Sequence, residues 1–400
     1  MSRVVIVPVG NDESIAVLVS QNNVSGLEQL WQSGQICFGA KTTEGGCSNP
    51  DCNAREHGED LIWAAVQYGH CDVIRWLISH GANLAVGNSR DHWKRQPVHF
   101  AACDGHIPLL QVLLTSGVNV NTLDAEERTP LHWAATFGQH EVAKYLISCG
   151  ANVNIDAAQN NGFTPLHAAA CLGHTKLCKL FLEHGAAINE ADKDGWTTLH
   201  VASCYYYPDI VKLLLDHGAS VNQETVDKQT ALHICVENRD TVLAGMLIEA
   251  GVALNLKDKR GYTALHWAVY HDKILMVKYL INYGADLNTV NEKQQGLLET
   301  ALTQADTNMI QLLHAAGANI YPELNSHNHI QQIHTLRQFE NNCYVSINRN
   351  VIEALATNPR KLQELCSLRI RSCLKPNYQQ QVRFLPLPAE MKSYVALKHL

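Results

Sequence analysis

The chain carries 21 histidines in 400 residues, and imidazoles in that number could supply metal ligands or acid–base groups near neutral pH. Six of them, His99, His132, His167, His200, His233 and His266, recur at steps of 33, 35, 33, 33 and 33 residues. A period of that length places each on its own structural layer, about 10 Å from the next, whereas a shared metal needs bonds near 2 Å. These histidines are expected to serve the fold instead, by bonding to the backbone of an adjacent hairpin. Cys37, Cys47, Cys52 and His57 form a second candidate cluster, in an apparent loop with Gly45-Gly46. Their spacings of 9, 4 and 4 intervening residues contain no Cys-x-x-Cys pair and fit no standard zinc site. No Gly-rich phosphate loop, nucleophile elbow, paired-carboxylate motif or RING-type Cys/His array stands out. The expectation is no catalytic residue, no metal and no cofactor: a non-catalytic protein.

Composition agrees with a large folded core, at 46% hydrophobic and 17% charged. The net charge is −7, and no Lys/Arg run exceeds two residues. That argues against nucleic-acid binding, which needs a concentrated basic footprint. No apolar run approaches the length of a membrane span, and the apolar start, broken by Pro8, is too short for a signal peptide. A soluble intracellular protein is expected, in the cytoplasm with the nucleus left open. Its 13 cysteines are then free thiols acting as small hydrophobes.

The elements that hold these residues follow from the same period. Thr129-Pro-Leu-His132, Thr164-Pro-Leu-His167, Thr197-Thr-Leu-His200, Thr230-Ala-Leu-His233 and Thr263-Ala-Leu-His266 recur, with Pro97-Val-His99 an earlier, weaker copy. Gly81, Gly117, Gly150, Gly185, Gly218, Gly251, Gly284 and Gly317 hold a parallel register. Each unit reads as a Thr-capped short helix of small residues, then a second helix with an apolar stripe, closed by a glycine suited to the left-handed conformation.

This pattern resembles the ankyrin repeat, with its Thr-Pro-Leu-His-x-Ala-Ala and Gly-Ala-x-x-Asn signatures. The resemblance implies an all-α solenoid of helix-turn-helix plus hairpin units, curved and with a concave binding surface. About eight repeats are expected over residues 57–320, the last with Leu297-Leu-Glu299 in place of the motif. Residues 1–56 would hold a capping helical pair, Glu13–Gly34, and the insertion loop, and 321–358 a connector with some helix near Asn350–Ala356.

Over residues 359–400 a different pattern begins. Leu362, Cys366, Ile370 and Cys373 share about 80° of one helical face, flanked by Leu365 and Leu374. A short helix so striped calls for a partner groove. Then Leu385-Pro386-Leu387-Pro388 fixes an extended segment, followed by Met391, Tyr394 and Val395. Together these resemble a small helical SOCS box, and the whole chain resembles the ankyrin-repeat and SOCS-box family. Lys361 departs from the family, which has a small or hydroxylated residue there. The resemblance implies that elongin B/C binds Leu362, Leu365, Cys366, Ile370 and Cys373. It implies that cullin-5 with its RING protein binds Leu385, Pro386, Leu387, Pro388, Met391 and Tyr394. The chain would then be a substrate-recognition adaptor of a ubiquitin ligase, its ankyrin face holding a protein substrate. A non-catalytic ankyrin scaffold without ligase recruitment is the rival, and elongin co-purification separates the two.

For the substrate, the residue before each capping Thr and the residues after the inner-helix Ala-Ala should line the concave face. These include Phe163, Trp196 and Tyr262 on the hairpin ridge. Phe137, Leu172, Tyr205 and Tyr270 close the inner helices, with Tyr206 and Tyr207 beside them. Aromatics in consecutive repeats would make one apolar stripe of the kind found at interfaces, unless the rings lie on neighbouring repeats and stiffen the hairpins. The segments Lys41–Arg55 and Asn88–Lys94 are further candidate surfaces.

Overall fold

The computed structural model describes residues 13–33, 54–84, 87, 91–238, 241–304 and 307–318. It contains two compact units, Met1–Ala219 and Ser220–Leu400. In the first, α1 (Glu13–Ser20) and α2 (Val24–Gln32) precede five helical pairs. These are α3 (Ala54–Tyr68) with α4 (Cys71–Ser79), α5 (Pro97–Asp104) with α6 (Ile107–Thr115), and α7 (Pro130–Thr136) with α8 (His140–Ser148). Then come α9 (Pro165–Cys171) with α10 (Thr175–Glu183), and α11 (Thr198–Cys204) with α12 (Pro208–Asp216). The second unit pairs α13 (Ala231–Asn238) with α14 (Thr241–Glu249), α15 (Ala264–Tyr270) with α16 (Ile274–Asn282), and α17 (Leu297–Gln304) with α18 (Thr307–Ala315).

Each unit is two layers deep. In the first, α3, α5, α7, α9 and α11 pack in series as an inner row, and α4, α6, α8, α10 and α12 as an outer row. The α1 and α2 helices extend the two rows, on α3 and α4 respectively. The second unit repeats the scheme, with α13, α15 and α17 inside and α14 and α16 outside. No strand occurs among the described residues; isolated antiparallel bridges such as Ala157–Phe163 and Val290–Gly296 close single hairpins. This is the all-α repeat architecture that the period implies.

Local chemistry explains why each unit folds alike. Thr129, Thr164 and Thr263 cap α7, α9 and α15, each accepting from the backbone N–H of the histidine three residues on. Buried alanines such as Ala134, Ala135, Ala169 and Ala170 let the inner helices approach closely. The outer helices bury Val142 and Leu146 on α8, Leu177 and Phe181 on α10, and Ile210 and Leu214 on α12. The α8 helix ends in a Schellman motif: Ala151 N–H donates to Leu146 O at 3.0 Å and Gly150 N–H to Ile147 O at 2.9 Å, with Gly150 at φ +89°. Asparagines then join one repeat to the next within each unit, as Asn154 Oδ1 accepts from Ala187 N–H at 2.8 Å and Asn255 Oδ1 from Asp286 N–H at 2.9 Å.

One reading needs correction. His57 is not in a loop but on α3, which starts at Ala54; Cys37, Cys47 and Cys52 lie outside the described residues.

Candidate protein-interaction site

His99, His132, His167 and His233 bond across repeats. Thr129 N–H donates to His132 Nδ1 at 3.1 Å, which leaves the ring proton on Nε2. His132 Nε2 then donates to the carbonyl of Phe163 at 3.0 Å. His167 does the same to Trp196 O at 3.1 Å, and in the second unit His233 to Tyr262 O at 3.2 Å. Burial pushes His132 and His167 down to about 4 and also lowers His233. The rings stay neutral near pH 7, as the single donor and single acceptor of each require. Their acceptors are the hairpin-ridge residues Phe163, Trp196 and Tyr262, so the apparently chemical side chains position the ridge.

A second device fixes the same residues from within the hairpin. Asp192 Oδ1 accepts from Asp194 N–H at 2.9 Å and Trp196 N–H at 2.7 Å. Asp258 Oδ1 accepts from Arg260 N–H at 2.9 Å and Tyr262 N–H at 2.8 Å. Each ridge aromatic thus has its N–H held by its own loop and its C=O by the preceding repeat.

The side chains fall into two groups. Phe163, Trp196 and Tyr262 are half-buried, with their rings against the histidine of their own repeat at centroid distances of 5.4, 6.2 and 5.6 Å. Phe137 is likewise half-buried, stacked on Trp133 at 6.0 Å. By contrast Leu172, Tyr205 and Tyr270, at the inner-helix ends, are 46%, 54% and 46% exposed. Tyr206 is also exposed, at a left-handed φ of 67°, while Tyr207 turns back over Gly173, where an added Cβ would lie 2.5 Å from its ring. Each unit therefore presents exposed apolar tips above a half-buried ridge. In the second unit Tyr262 and Tyr270 are 6.3 Å apart and share a cavity with Trp267.

Sequence reasoning missed a cluster in the first unit. Trp93 and Trp133 meet edge to face at 5.6 Å, with Arg128 and Arg95 over Trp133 at 4.2 and 4.5 Å. Trp133 Nε1 donates to Asp124 Oδ2 at 2.9 Å, and Trp267 Nε1 to Asp258 Oδ2 at the same distance in the second unit. The shared signal was a Trp nine residues after a hairpin Asp. Trp93, in the candidate segment Asn88–Lys94, packs inward and supports a neighbouring repeat. Leu362, Leu365, Cys366, Ile370, Cys373, Leu385, Pro386, Leu387, Pro388, Met391 and Tyr394 lie outside the described residues.

Among the described residues no helix is long and apolar enough to cross a membrane, and no group of three or more His, Cys, Asp or Glu could hold a metal ion.

Comparison with known proteins bears on both parts of the chain. The family model for ankyrin repeats matches residues 61–157, 153–225 and 221–291, together more than half of the chain. The SOCS-box model matches residues 358–396. A probable E3 ubiquitin-protein ligase of Oryza sativa subsp. japonica is 29% identical over 146 residues, 36% of this chain and 28% of that protein. An ankyrin repeat-containing protein of Schizosaccharomyces pombe is 49% identical over 39 residues, 10% of this chain and 19% of that protein. The chain thus spans less than a third of the length of either relative. On the order and extent of the two matched models, the chain belongs to the ankyrin-repeat and SOCS-box family.

Proposed function

We propose that the chain is a non-catalytic substrate-recognition adaptor of an elongin B/C–cullin-5 RING ubiquitin ligase. The observation that carries this is the SOCS-box match at 358–396, C-terminal to the ankyrin match. The rice relative, named a probable E3 ubiquitin-protein ligase, points to the same pathway. In this reading residues 1–56 cap the stack and carry the insertion, 57–320 form the ankyrin domain, 321–358 connect, and 359–400 recruit the ligase.

The division of labour has a physical basis. Leu362, Leu365, Cys366, Ile370 and Cys373 form the apolar face offered to elongin B/C. Leu385-Pro386-Leu387-Pro388, with Met391 and Tyr394, forms the separate element offered to cullin-5 and its RING protein. The ankyrin surface, through Phe137, Phe163, Leu172, Trp196, Tyr205, Tyr262 and Tyr270, holds the substrate protein. The half-buried ridge supplies rigidity and the exposed tips Leu172, Tyr205 and Tyr270 supply contact area, an arrangement suited to anchoring residues.

Co-expression tests the reading. The purified chain should bring elongin B/C with it, and Leu362→Ser combined with Cys366→Ser should abolish that. A polar atom placed in an apolar groove, plus the cavity left behind, costs roughly 2–5 kcal/mol. Undiminished elongin capture by the double variant would overturn the assignment of this face. A wild-type chain that purifies without elongin would leave a plain scaffold.

A further inference from the structure

The tryptophan–aspartate pair is built once in each unit, and the two copies are finished differently. Over Trp133 lie the guanidiniums of Arg128 and Arg95, and each has its own carboxylate. Arg128 Nε pairs with Asp124 at 3.0 Å and Arg95 Nε with Asp91 at 2.8 Å. Trp133 is only 5% exposed as a result. In that stack each guanidinium has a carboxylate of the same chain.

Over Trp267 it is incomplete. The position of Arg128, just before the capping Thr, is Tyr262, and the cation is Arg260, two residues earlier. Its exposed guanidinium stands 6.0 Å from the Trp267 ring. Asp258 is committed to two backbone N–H groups and the indole, and no carboxylate among the described residues pairs with Arg260. What remains is an open cavity of about 450 Å³ walled by Tyr262, Trp267 and Tyr270 and rimmed by Arg260, Glu292 and Lys293. Lys293 and Glu292 are exposed and make no ion pair among the described residues. The rim therefore holds two cations against one carboxylate, above three rings.

We infer that this cavity takes an aromatic side chain from an extended segment of a partner protein, with a neighbouring Asp or Glu of that segment pairing with Arg260 and Lys293. The three rings accommodate a flat side chain in edge-to-face contact. The incoming carboxylate supplies what Asp124 supplies at Trp133, and a guanidinium pairs with carboxylate in fixed geometry. A basic segment would face two like charges, with Glu292 alone to receive it. The inference rests on the reading of the ankyrin surface as the partner-binding side, and it specifies the chemistry of that partner.

The test is a selection from a random peptide phage library on the immobilised full chain, with Arg260→Glu/Lys293→Glu as a parallel target. Both altered side chains are exposed, and matching thermal melts establish that the variant is folded. Clones should accumulate with Asp or Glu close to Phe, Tyr or Trp, and should be lost on the charge-reversed target. A synthetic peptide from such a clone, followed by fluorescence anisotropy, should bind the charge-reversed chain at least roughly tenfold more weakly. It should bind Glu292→Gln more tightly than wild type. Enrichment of basic peptides, equal enrichment on both targets, no enrichment, or weaker binding to Glu292→Gln would each overturn the inference. Elongin co-purification reads the adaptor assignment independently, so either can fail alone.

Discussion

At the scale of single residues, buried histidine makes the stack sensitive to acid. An unfolded histidine titrates near 6.5, but burial pushes His99, His132, His167 and His266 down to about 4. Above pH 6.5 both states are neutral and stability does not change. As pH falls from 6.5 towards 4, the unfolded chain binds protons that the folded chain refuses, so stability is lost; below about 4 the loss levels off. At pH 5 the loss is about 2 kcal/mol per histidine. Urea unfolding midpoints should therefore drop clearly between pH 7 and pH 5, where most carboxylates are still ionised. A flat midpoint would contradict neutral, buried rings. The role of these histidines was legible because they recur on the repeat period, which separates them too widely for shared chemistry. The stack of Trp93, Arg95, Arg128 and Trp133 was not legible. Its members come from different repeats, and no local spacing says that two guanidiniums will lie on one indole.

At the scale of elements, two substitutions test what starts and stops the helices. Thr164 is a buried cap on α9 whose hydroxyl accepts from His167 N–H. Thr164→Ala should cost about 1–2 kcal/mol, seen as a lower melting temperature; no change would mean that the His167 ring alone secures the turn. Tyr206 tests the opposite end. Gly138 and Gly173 follow α7 and α9 at φ +71° and +77°, but the matching place after α11 is Tyr206 at +67°. A side chain with Cβ pays for that conformation, and Tyr206→Gly should stabilise by roughly 0.5–1 kcal/mol. A fall in melting temperature would show that the ring's contacts outweigh the strain. The helices were legible because Thr and Gly punctuate them. The start of α3 was not: Arg55-Glu56-His57-Gly58-Glu59-Asp60 is polar and contains a glycine, so it reads as loop. The apolar run Leu61, Ile62, Trp63, Ala65 and Val66, all buried, carries the helix through it.

At the scale of the whole molecule, an adaptor must bind at two places that do not depend on each other. The order of two family signatures along one chain was legible; the stripe was legible only in part. Alternation and repeat position select Phe163, Trp196 and Tyr262 as readily as Leu172, Tyr205 and Tyr270, yet the former lie half-buried against their own histidines. Each ridge ring folds back on the histidine four residues later in its own repeat, a choice of side-chain direction that residue type and position alone do not encode. The exposed set is therefore the right one to change. Leu172→Ser, Tyr205→Ser and Tyr270→Ser combined remove side chains that are about half exposed, so the melting temperature should hold. Substrate capture should fall by at least roughly tenfold, the sum of modest losses at three anchors, while elongin B/C and cullin-5 still co-purify. Replacing Leu385-Pro386-Leu387-Pro388 by four alanines should do the reverse for one partner alone, weakening cullin-5 association while sparing both elongin and substrate. Ubiquitin transfer in a reconstituted ligase should fail with either variant. Mixing the two in one reaction should not restore it, because neither chain brings substrate and cullin together. Restored transfer in the mixture would mean that separate chains can share the task, and the single-chain bridge would have to be abandoned.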